Sequence, residues 1–109
     1  MRVDSNLLNS LYMGRLQNLR QRAEDSGISK SGSVEVLRAR LISNLVLSEV
    51  DFSWEGIQSM PHKEIGEVLK VFGIKSSGSH KERRQRLWLH LSYDSRRMTI
   101  ENLAEMNRD

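Results

Sequence analysis

Gly27-Ile28-Ser29-Lys30-Ser31-Gly32-Ser33 returns 46 residues later as Gly73-Ile74-Lys75-Ser76-Ser77-Gly78-Ser79. The match continues at Arg38 and Arg84, Arg40 and Arg86, Leu41 and Leu87, and Leu45 and Leu91. Roughly half of this window is identical, above what a helical composition returns by chance, so the chain reads as an internal repeat. The flanks of both copies have helical period. Leu16, Leu19 and Ala23 lead to Gly27, and Ile65, Val68, Leu69 and Phe72 lead to Gly73. Glycine is common just past a helix end because it tolerates a left-handed backbone. Beyond the loop, Ser33 and Ser79 are placed as N-caps, and Glu82, three residues after Ser79, completes a capping-box pattern. Leu37, Leu41 and Leu45, then Leu87 and Leu91, carry the helices that follow. Each copy therefore reads as helix, extended loop, helix.

Each copy has a short apolar lead-in: Leu7, Leu8, Leu11 and Tyr12 before the first, and Phe52, Trp54, Ile57 and Met60 before the second. These read as further helices, the latter capped by Asp51 or Ser53. Pro61 suits a first helical turn, where its missing N–H costs nothing. The tail from Met98 to Met106 falls in the same register, Ile100 on Trp54, Leu103 on Ile57 and Met106 on Met60. It reads equally as a C-terminal helix or as the opening of a third repeat. With one proline and no strand-and-turn clusters of glycine, the expected class is all-α: unit 1 over 1–47, unit 2 over 48–93, and a C-terminal helix over 94–109.

At 109 residues, 38% of them hydrophobic and 28% charged, the composition is globular and too interrupted by charge for a membrane span. Cysteine is absent, which excludes disulfides, thiol catalysis and cysteine-based zinc sites. The opening residues lack the apolar run of a secretory leader, and an intracellular setting is expected, the cytoplasm of a prokaryote or the nucleus of a eukaryote. His62, His80 and His90 are scattered without metal-ligand spacing, and the Gly-to-Gly loops lack the Lys-Ser/Thr of a phosphate-binding P-loop. Neither an enzyme nor a cofactor or metal site is expected.

The net charge is +3, but its distribution says more. From Lys70 to Arg97 stand Lys70, Lys75, Lys81, Arg83, Arg84, Arg86, Arg96 and Arg97 against Glu82 and Asp94 alone. A local excess of this kind draws polyanions even where the total is mild.

The string from Ser31 to Leu41, preceded by a helix and Gly27-Ile28, resembles the SAP motif, a helix, extended loop and helix found in chromatin, repair and RNA-processing proteins. The resemblance covers Leu16 to Leu45 and Ile65 to Leu91. It departs from the family pattern where Val34 and His80 replace a frequent Lys, and where Arg83 takes the core place that Leu37 fills in unit 1. An arginine there either runs its stem along the core edge or rotates the helix slightly. The resemblance implies DNA binding by a non-enzymatic module, duplex-directed and of low sequence specificity, tethering a larger protein or assembly.

The residues expected to make those contacts are Lys75, Ser79, His80, Lys81 and Arg84 in unit 2, where the start of the second helix would offer backbone N–H groups to phosphate. Lys30, Ser33 and Arg38 form a thinner set in unit 1. Arg40 and Arg86 read as structural, their stems over the core and their charge paired with a carboxylate such as Glu24 or Glu64. Trp54, Trp88 and Phe72 read as core. RNA binding, and a protein-interaction module built of helical repeats, are the competing readings. A monomer without membrane contact is expected.

Overall fold

The computed structural model describes residues 2–92. All regular structure among them is helical. The helices are α1 (Ser5–Met13), α2 (Leu16–Asp25), α3 (Val34–Leu41), α4 (Trp54–Ser59), α5 (His62–Val71) and α6 (His80–Leu91), with a π-helical turn, Ile42–Val46, continuing α3. The chain divides into two compact units between Val50 and Asp51. The tail that reads as a C-terminal helix or third repeat lies outside the described residues.

In the first unit α3 packs on both α1 and α2, and its π turn packs on α1. Leu11, Leu19, Ala23, Leu37, Leu41 and Ile42 are almost wholly buried there. In the second unit α6 takes the place of α3, packed on α4 and α5. Its core holds Ile57, Ile65, Leu69, Leu87, Trp88 and Leu91. Five of these pairs stand 46 residues apart: Leu11 and Ile57, Leu19 and Ile65, Ala23 and Leu69, Leu41 and Leu87, Ile42 and Trp88. Two of these pairs change size, Ala23 to Leu69 and Ile42 to Trp88, and aromatics enter the unit 2 core. Trp54 meets Trp88 edge to face at 5.1 Å, and Phe52 meets Phe72 at 5.8 Å. Phe72 and Trp88 are core, as their sequence context implies, while Trp54 is half-buried.

The helix ends follow their residues. Asp4, Ser33, Ser53 and Ser79 each accept a backbone N–H three residues on. Asp51 accepts from the Ser53 N–H at 2.9 Å, so Ser53 is the cap of α4 and Asp51 braces it. Pro61 occupies the N-cap of α5, one position before the first turn, and its carbonyl accepts from Ile65. At the other end, α2 and α5 finish in the same Schellman arrangement. The Ile28 N–H donates to Ala23 and that of Gly27 to Glu24; Ile74 donates to Leu69 and Gly73 to Lys70. The closing glycines have φ of 69° and 71°, the left-handed region in which a Cβ is strained.

One expectation fails at Leu45. The α-helical period that would bury it stops at Leu41, and the π turn leaves it half-buried while Val46 and Leu47 go inward. Ser43 Oγ and Asn44 Nδ2 both donate to the Arg40 carbonyl, at 3.0 and 2.7 Å. Such side-chain bonds compete with the helical ladder and loosen it locally. Unit 2 has Leu89 and His90 at those places and stays α-helical, with Leu91 buried.

Gly27→Ala should lower stability by about 1–2 kcal/mol, the cost of a Cβ at positive φ, since open space around the position leaves no clash to add. Urea unfolding would measure it, and Gly27→Asn should lose less.

Candidate nucleic-acid interface

The loops between the paired helices are where the units are most alike. Arg40 Nη1 donates to the Ser29 and Ser31 carbonyls at 2.7 Å each. Arg86 Nη1 donates to the Lys75 and Ser77 carbonyls, also at 2.7 Å each. One guanidinium nitrogen thus spends both protons on one loop. The sequence marks these arginines as structural, and the partners it does not single out are main-chain carbonyls. Glu24, offered as a carboxylate partner, lies 3.3 Å from Lys30 instead. Both loops end on a second positive-φ glycine, Gly32 at 101° and Gly78 at 117°, directly before the serine cap.

The expected contact residues separate into two groups. Ser79 is occupied within the chain: its hydroxyl accepts from the Glu82 N–H at 3.2 Å, and its own N–H donates to the Glu82 carboxylate at 3.1 Å. An amide expected to face phosphate therefore already holds an anion. Those bonds to Ser79, helped by the charges of Arg86 and Lys75, keep the Glu82 carboxyl below its ordinary range. Lys75 and Arg86 accordingly lie near the start of α6. His80 turns inward, with Nε2 2.9 Å from the Met60 carbonyl. Lys75 is exposed, and Lys81 and Arg84 are half-buried one turn apart on α6.

In unit 1, Ser33 is used as a cap, accepting from Val36 at 3.3 Å, and Lys30 is paired with Glu24. Arg38 reaches α1, donating from Nε to the Leu11 carbonyl at 3.2 Å. A shallow open groove of about 370 Å³ runs along α2 beside the loop, lined by Gln17, Arg20, Gln21, Glu24, Lys30 and Ser31.

Arg83 takes the stem-along-the-core alternative. Its Nη1 donates to the His62 carbonyl at 2.8 Å, and its Nε is buried without a hydrogen-bond partner. The guanidinium lies against Gly66, where an added Cβ would come within 2.6 Å of it. Beside it the His62 and His80 rings meet edge to face at 5.3 Å. Loss of hydration, then the charges of Arg83 and His80, hold His62 below the ordinary histidine range, and burial does the same to His90. No group of three or more metal-ligating side chains occurs among the described residues, and no helix among them is long and apolar enough to cross a membrane.

Compared with protein-family models, curated proteins and solved structures, the chain matches none.

Arg86→Ala should cost about 1–2 kcal/mol by removing two charged hydrogen bonds, with Arg86→Lys intermediate. Denaturant unfolding and faster proteolysis at the 75–78 loop would register it, and an unchanged midpoint would contradict the role. The two depressed histidines set the acid response. The unfolded chain takes up their protons first, so stability present above pH 6.5 should decline as pH falls through their folded values. It should drop again where Glu82 and Asp51 titrate, because their folded carboxyls are also depressed. His62→Gln with His90→Gln should flatten the first decline in a series of unfolding curves.

Proposed function

We propose that this chain is a non-enzymatic nucleic-acid-binding module that holds duplex DNA through its phosphate backbone and tethers a larger intracellular assembly to it. The two units are copies of one SAP-like repeat in this reading. Support for the repeat comes from the loops, where closing glycine, Schellman bonds, arginine clamp and serine cap recur at the 46-residue spacing. The observation that carries the function is the clamped loop of unit 2. It brings Lys75 to the start of a helix bearing Lys81 and Arg84, in a stretch whose described part has Glu82 as its single acid.

Lys75, Lys81 and Arg84 carry the binding. Ser79 and His80 support it indirectly, the first by capping α6 and the second by tying its start to Met60. Contacts of this kind position a protein on a duplex and read little sequence. Lys30, Ser33 and Arg38 make contacts within unit 1, and the anchor in this reading is the cation-rich stretch of unit 2 from Lys70 onward. A protein-interaction module is the second reading. It draws on Leu89, 56% exposed on the helix that would face DNA.

A titration with duplex DNA, single-stranded DNA and RNA at several salt concentrations decides among these. Duplex should bind best, with log affinity falling linearly against log salt. Lys81→Ala with Arg84→Ala should weaken duplex binding and make that slope shallower by about one for each phosphate left without its cation. Absence of binding to all three at low salt would sink the proposal, and RNA binding best would redirect it.

A further inference from the structure

We infer that Tyr12, backed by Arg38 and flanked by Met13, is a stacking site for an unpaired DNA base. The inference rests on the nucleic-acid reading above and adds contact of a second kind, to the face of a base. Among the described residues Tyr12 is the aromatic that stays exposed, at 38%, and the neighbouring Met13 is 84% exposed. Phe72 and Trp88 are buried, and Phe52 and Trp54 are engaged ring against ring.

The ring is held ready. Arg38 donates from Nε to the Leu11 carbonyl, which belongs to the last turn of α1 and has no partner further along the helix. A cation there also meets the negative end of the helix dipole. So anchored, the guanidinium carbon sits 5.3 Å from the centre of the Tyr12 ring. A ring fixed in this way loses little freedom when a base stacks on it. Aromatic face and planar cation together are elements with which single strands are held.

The same place in unit 2 lacks the platform. Gln58 and Ser59 stand where Tyr12 and Met13 do, although Arg84 keeps the position of Arg38. The site therefore divides the work: unit 1 takes unpaired bases and unit 2 the duplex backbone.

The test uses the whole chain, with a labelled thymidine oligomer and a DNA duplex of equal length as probes in fluorescence anisotropy. Tyr12→Leu should weaken oligomer binding roughly tenfold or more while leaving duplex affinity unchanged, and Tyr12→Phe should stay within about twofold of the parent. Undiminished oligomer binding by Tyr12→Leu overturns the inference, as does an equal loss on both probes or an equal loss in Tyr12→Phe. If the parent chain binds duplex but not the oligomer, the stacking site falls and the backbone reading stands. If it binds neither probe, the backbone reading falls with it.

Discussion

Two protons on one arginine nitrogen hold each loop of this protein in place. The carbonyls they satisfy belong to loop backbone, which has no ladder of its own and would otherwise depend on water. Without the guanidinium, the segment between the left-handed glycine and the serine cap would have one fixed end and one loose one. With it, the loop is tied to the middle of the helix it precedes, and the direction in which that helix starts is set. The cap, the capping box and the placement of Lys75 all lie downstream of that bond.

The units differ most in how they fill the layer beneath the loop. Leu37 in unit 1 faces a helix that carries Arg20 outward, while Arg83 in unit 2 lies on Gly66. At these positions, 46 residues apart, the arginine is on α2 in unit 1 and on α6 in unit 2, where a glycine receives it. That exchange leaves an unpartnered Nε inside unit 2 and a half-buried cation next to two histidines. It makes unit 2 the more sensitive to acid of the two.

Most of the fold is legible in the sequence because its signals are local. Gly27, Gly73, Ser33, Ser79 and Glu82 act within a few residues of themselves, and periodic leucines show which helix face is apolar. Leu45 escapes such a reading because the competing bonds of Ser43 and Asn44 leave no mark on hydrophobic period. At the candidate site, Lys75, Lys81 and Arg84 are visible as charge, but the fates of Ser79, His80 and Arg38 are not. Each is decided by a partner on another turn or another helix: Glu82, Met60 and Leu11. The clamp role of Arg40 and Arg86 is hidden for a related reason, since any residue type can supply a main-chain carbonyl. Tyr12 reads as one more apolar residue of a lead-in helix, and period alone cannot say which member of such a stripe is left at its edge.

The bonds that shape each loop reach only a short way along the chain. Ile28 ties back to Ala23, and Arg40 to Ser29 and Ser31, spans over which closing a loop costs little entropy. The segment thus carries its own fasteners and asks nothing of distant residues for its conformation. A stretch built in that way can be copied within a gene and keep its shape at the new address. The flanking cores differ: that of unit 1 is aliphatic, while that of unit 2 includes Phe72 and Trp88.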